Sequence, residues 1–411
     1  VNYSNSLKPA TRLWLIRICM GLSTSFLVGS ASSLFLWGLE KIQIYRTEHL
    51  ALLYCLPILG VAFQYVSQIP QSPIKLGTND LIDRVNQKSD DIPWSLGPFI
   101  LLSTWLSQLF GASVGREGTA VQMGGSITHQ FSQWLNLEEQ EKRDWLQAGM
   151  AAGFASVFGT PWAGCFFGLE ISKVGHISFR SIIPCLFSAF GANWVSLHVW
   201  STNHTIYPTV FLPEITMAFW AKLACIGLFL GLIALFYSRL ESIISKTYAQ
   251  LPIHTILKGI LAGLILLLIF QFPYFKESIG LGSSFLLRPF ESGETANFAI
   301  SKTLATSLSL GLGFKGGEAT PLFLIGAHAS SSLHEIISFP IPLLAALGFT
   351  CLYTGLAKTP LTSIAMGVEL FGQDAWFCFF LCTLIVMYIS GKNGIFKKQA
   401  WANWVPKPLY E

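Results

Sequence analysis

Seven stretches of this chain are almost wholly apolar, and most are interrupted by glycine or proline: residues 13–39, 49–66, 98–109, 179–199, 217–237, 256–272 and 375–390. A helix needs about 20 apolar residues to cross a bilayer core. Several runs reach that length and several fall short, so the pattern predicts spanning helices together with helices that stop part-way. Of the 411 residues, 12% are charged and 52% hydrophobic, with a mean hydropathy of +0.53. Soluble domains run near roughly a quarter charged, and water could not solvate this much apolar surface. The runs are continuous and not alternating, which excludes a β-barrel and leaves an all-α polytopic membrane protein. Residues 13–39 are long and lack a small-residue cleavage site, so they read as a helix and not as a signal peptide.

The formal charge of +4 is spread over loops and gives no nucleic-acid footprint. Basic clusters at residues 8–17 and 392–398 flank apolar helices, which by the positive-inside rule places both termini in the cytoplasm. The eight cysteines have neither CxxC nor Cys/His spacing and read as packing residues, without disulfide or metal framework. His129 and His328 likewise lack metal-type spacing, and neither metal nor cofactor is expected.

Two pairs of segments repeat. Gly115-Arg116-Glu117-Gly118-Thr119 lines up with Gly316-Gly317-Glu318-Ala319-Thr320 at an offset of 201, which also sets Gly125 on Gly326. Thr160-Pro161 lines up with Thr359-Pro360, and Glu170 with Glu369, at an offset of 199. The chain therefore reads as two related halves, 1–205 and 206–411, divided in the polar stretch 200–209. Internal duplication in a helical membrane protein is a transporter signature, and an inverted arrangement puts the substrate where the halves meet. A parallel repeat is the other arrangement that the spacing admits.

The first N–H groups of a helix lack internal partners and carry partial positive charge. A glycine-rich segment leading into a helix is thus an anion site made of backbone. Both halves have this form, with Thr119 and Thr320 adding hydroxyls. The occupant is either the glutamate carboxylate or a small anion, so an ionised glutamate blocks the site and a protonated one leaves it open. First-turn glutamates are common caps, but a carboxylate within a membrane is a functional hypothesis by default. Glu170 and Glu369 read as matched structural ends of two helices, and Lys315 as either a source of potential or an interfacial anchor.

The sequence GREGxxVQxGGS, with a downstream xPxxGxxFxxE segment, resembles the CLC superfamily of anion channels and proton-coupled antiporters across essentially the whole chain. The resemblance implies a homodimer in a cell (inner) membrane, with one pathway per subunit between two inverted repeats of discontinuous helices, and no cytoplasmic regulatory domain. Glu117 falls on the family's gating glutamate, with Gly115, Arg116 and Gly118 as its neighbours. Glu318, in the stretch Gly316-Gly317-Glu318-Ala319-Thr320-Pro321, takes the place of an aromatic typical of chloride-type members. That stretch, and Thr119 after GREG, resemble the bacterial fluoride/proton antiporter branch. Ile171 follows Glu170 where chloride/proton exchangers carry an inner acid.

In the first half, Gly77, Thr78 and Asn79 match the family's anion-contacting loop, with either Thr78 or Asn79 at the contact. Phe396 replaces the family's tyrosine, so its ring edge and not a hydroxyl faces the anion. The implied function is export of fluoride in exchange for protons, with Glu318 as fluoride partner or proton relay. A chloride-type channel or chloride/proton exchanger of the same fold is the alternative. An intramembrane enzyme is disfavoured, since no nucleophile or metal cluster accompanies the two carboxylates.

Overall fold

The computed structural model describes residues 9–87 and 92–403, without the side chains of 9–13. Lys8, which opens the first basic cluster, lies outside the described residues. The helices run α1 (Pro9–Glu48), α2 (Leu56–Gln68), α3 (Thr78–Val85), α4 (Leu96–Leu109), α5 (Glu117–Trp134), α6 (Glu139–Phe158), α7 (Pro161–Glu170) and α8 (Ile182–Trp194). After residues 201–216, which form no regular element, come α9 (Met217–Gln250), α10 (Thr255–Gln271), α11 (Arg288–Glu291) and α12 (Ala296–Gly311). The series ends with α13 (Ala319–Ser331), α14 (Ile341–Ala357), α15 (Pro360–Phe371) and α16 (Trp376–Ile389). Two short strands, β1 (Lys173–Val174) and β2 (Ala400–Trp401), pair in parallel and tie the C-terminal strap back to the first half.

Among the described residues, four helical stretches are long and apolar enough to cross a membrane: Trp14–Glu48, Leu50–Gln68, Phe179–Val199 and Met217–Gln250. The helices at the centre are of another kind. None of the seven runs covers α6 or α14, both of which carry many small residues and are buried along most of their length, although α14 is itself apolar over its 17 residues. Gly124 of α5 lies against the backbone of Gly149 in α6, and Gly326 of α13 against Gly348 in α14. A methyl group at any of these positions would meet a carbonyl oxygen of the facing helix. Close approach of backbones is how helices associate where solvent gives no hydrophobic drive.

Proline at the first helical position opens both α7 and α15 after Thr160 and Thr359. Their predecessors both end in the left-handed region, α6 at Gly159 (φ 75°) and α14 at Lys358 (φ 58°). A lysine thus holds a conformation that elsewhere favours glycine.

The halves are joined by reciprocal bonds. The Trp162 and Ala163 N–H groups of α7 donate to Glu369, in the last turn of α15, each at 2.9 Å. The Leu361 and Thr362 N–H groups of α15 donate to Glu170, which ends α7, at 3.1 and 2.8 Å. Each helix start therefore faces the other's end, so equivalent helices run antiparallel, as inverted repeats require.

The first motif pair needs a correction. Gly111 (φ 89°) corresponds to Gly313 (φ 94°), Gly115 exchanges two backbone bonds with Gly317, and the Gly124 crossing corresponds to that of Gly326. Ser113 N–H on Ser309 Oγ is likewise mirrored by Lys315 N–H on Ser107 Oγ. All give an offset of 202, not 201. Glu318 is the counterpart of Arg116, and Glu117 that of Ala319. Aligning the glutamates in sequence shifts every backbone role by one residue.

Candidate functional site

Helices α5 and α13 start head to head. Gly115 N–H donates to Gly317 O at 2.5 Å and Gly317 N–H to Gly115 O at 2.9 Å. A Cβ on Gly317 would lie 2.6 Å from the nitrogen of Gly118, so only glycine lets the two helix starts come this close. Glu117 is the first residue of α5, yet its carboxylate crosses to the other half. One oxygen accepts the Thr320 N–H at 2.8 Å and the other accepts the Thr320 hydroxyl. Thr320 lies in the first turn of α13, so Glu117 occupies that helix's unpartnered N–H groups. Arg116 closes the arrangement, with Nε 3.2 Å from Oε1 and its backbone N–H 3.3 Å from Oε2. Glu117 is 1% exposed.

Beside it lies a cavity of about 140 Å³. Of the residues singled out in the sequence, Thr78, Asn79, Glu117 and Gly118 line it from the first half. Gly316, Gly317, Glu318, Ala319 and Phe396 line it from the second. One oxygen of Glu318 is buried with no hydrogen-bond partner among the described residues. Thr78 and Asn79 both reach the wall. The Thr78 hydroxyl accepts from Gln122 at 3.3 Å, and Asn79 Oδ1 accepts the Lys398 N–H at 3.1 Å. Lys398 also pairs with Asp83 at 2.7 Å, and that carboxylate raises its ammonium pKa above the ordinary lysine value.

Five of the residues named from sequence stand elsewhere. Gly77 caps α3 and gives its N–H to Asp80 at 2.8 Å. Gly115 is engaged in the bridge to Gly317. Thr320 is engaged by Glu117. The Thr119 hydroxyl bonds that of Thr104 at 2.7 Å, and Thr119 is not among the residues of the cavity wall. Arg116 lines a second, wider cavity of about 910 Å³, together with Ser33, Trp37, Thr202 and Ser283. Glu117 thus stands between a narrow cavity that it lines and a wide one that its neighbour lines.

Sequence reading missed Gln122, Phe154 and Tyr353 in the cavity wall. Gln122 carried a signal, since it lies within the first motif, and its Oε1 is buried without a partner. Phe154 and Tyr353 come from the small-residue helices α6 and α14 and carry no local mark. Among the described residues no group of three or more His, Cys, Asp or Glu could hold a metal.

The profile of the family described as "Voltage gated chloride channel" matches residues 56–391. The chain belongs to the voltage-gated chloride channel, or CLC, family. One CLC relative, the "Chloride/fluoride channel protein" of Pseudomonas syringae pv. tomato, is 34% identical over 91% of this chain and 84% of its own length. Another, the "Voltage-gated ClC-type chloride channel ClcB" of Salmonella typhimurium, is 25% identical over 91% and 82%. Among solved CLC structures, a CLC-type fluoride/proton antiporter matches with a TM-score of 0.90 and 30% identity, covering 97% of this chain and 100% of the other. A slow cyanobacterial Cl⁻/H⁺ antiporter shares the fold with a TM-score of 0.78 at 21% identity, covering 94% and 95%. The chain is accordingly a membrane-embedded CLC-family transporter, of a family of transporters and channels and not of enzymes.

Proposed function

We propose that this CLC protein exports fluoride in exchange for protons. The observation that carries the reading is the Glu117 carboxylate seated on the first turn of α13, beside a cavity that Glu318 also lines. Glu117 holds the position an anion would take. Protonation weakens its charge-assisted bonds to Thr320 and Arg116, and the vacated N–H and hydroxyl groups then receive the anion. Fluoride is small, strongly hydrated and a strong acceptor, so fixed donors must replace its water. Glu318 adds a carboxyl that, when protonated, donates to fluoride or passes its proton on, and when ionised accepts the next one. The likeness to a fluoride/proton antiporter supports the same reading.

In this reading Thr320, Gly118 and the backbone at Gly316, Gly317 and Ala319 contact the anion on one side. Thr78, Asn79 and the Phe396 ring edge contact it on the other. The protein works as a homodimer in the inner membrane, with one pathway per subunit and both termini cytoplasmic. The test is reconstitution into vesicles with an imposed fluoride gradient, followed with fluoride and pH electrodes and repeated with chloride. Fluoride is expected to drive protons uphill. Anion flux without proton movement would make the protein a channel, and equal coupling to chloride would make it a chloride exchanger.

A further inference from the structure

Glu318 feels two charged groups, Glu241 on α9 and Lys397 just after Phe396. Glu241 is one helical turn beyond Tyr237, so both side chains share a face of α9. Tyr237 is completely buried, its hydroxyl lies beside that of Ser307, and it is within electrostatic range of both Glu318 and Glu241. Exposure then rises in order. The Glu241 side chain is 16% exposed and pairs at 3.2 Å with Lys397, which is 55% exposed. Proton-bearing groups thus stand at increasing exposure between the cavity wall and the surface.

We propose that Glu241 is the carboxyl that carries protons between the surface at Lys397 and Glu318, with the Tyr237 hydroxyl as relay. Glu241 takes a proton from bulk water and becomes neutral. It passes that proton to the Tyr237 oxygen, directly or across a water, as the hydroxyl releases its own proton to the Glu318 carboxylate. Glu241 ends ionised, Glu318 protonated and the tyrosine unchanged. Lys397 pairs with the Glu241 carboxylate at the aqueous end and takes no part in the transfer. This inference rests on the fluoride/proton reading above.

The experiment compares fluoride-driven proton movement in vesicles carrying wild type, Glu241→Gln, Glu241→Asp, Tyr237→Phe and Lys397→Met, with fluoride binding to each purified protein measured by calorimetry. Glu241→Gln is expected to slow proton movement by on the order of 10²-fold with fluoride binding kept. Tyr237→Phe should slow it less, while Glu241→Asp and Lys397→Met retain it. Wild-type proton movement in Glu241→Gln overturns the inference and leaves the transport reading standing. A loss in Lys397→Met as large as in Glu241→Gln also overturns it, by assigning the effect to the ion pair. Fluoride flux without protons in wild type sinks both.

Discussion

Where α7 meets α15, each helix start is capped by a glutamate from the last turn of the other, and every charge has its donors. Where α5 meets α13, only one carboxylate crosses. Glu117 caps α13, among the described residues no acid returns to cap α5, and Glu318 lines the cavity with one oxygen buried and without a partner there. Both pairs began as the same signal, a glutamate in a membrane-buried helix. Symmetric exchange satisfies its groups and leaves nothing to change. The asymmetric pair holds one carboxyl in a seat an anion could take and another without a partner, so its occupancy and protonation can vary.

The largest expected effect is at the asymmetric pair. Glu117→Gln should abolish proton coupling in reconstituted vesicles, and coupled exchange surviving in that variant would remove the contrast drawn here. Next comes the symmetric pair, where the effect should fall on stability and not on coupling. Glu170→Ala strips acceptors from two backbone N–H groups and the Thr362 hydroxyl, a loss of roughly 1.5–3 kcal/mol in thermal or denaturant unfolding. Glu369→Ala should lose about 1 kcal/mol, because its α7 end lies at an exposed Trp162. If the two variants were equal, the pair would be more symmetric in energy than in exposure. Smallest is Thr119→Val, which gives up only the bond to Thr104, at most about 1 kcal/mol, and should leave fluoride flux as in wild type. A large fall in flux would return Thr119 to the pathway.

The helical membrane class and a glycine-rich helix start in each half were legible from residue types alone. So was the correspondence of Glu170 with Glu369, because Thr-Pro fixes a helix start and leaves one alignment. The first motif pair was not legible to the residue. Its glycines align about as well at 201 as at 202, and matching glutamates favoured the wrong one. Backbone geometry decides, through the left-handed Gly111 and Gly313 and the bridge at Gly115 and Gly317. Gln122, Phe154 and Tyr353 were missed for a related reason, since residues on different helices become neighbours only when those helices pack.

By itself the sequence determined that this chain lies in a bilayer as helices, some broken, because hydropathy and glycine or proline placement act locally. Only the tertiary structure decided that the Glu117 carboxylate rests on the helix of the opposite half, that Thr119 bonds Thr104, and that Glu318 corresponds to an arginine. A side chain's partner depends on which backbones approach within hydrogen-bonding distance. In this protein that approach is set by contacts between halves some two hundred residues apart.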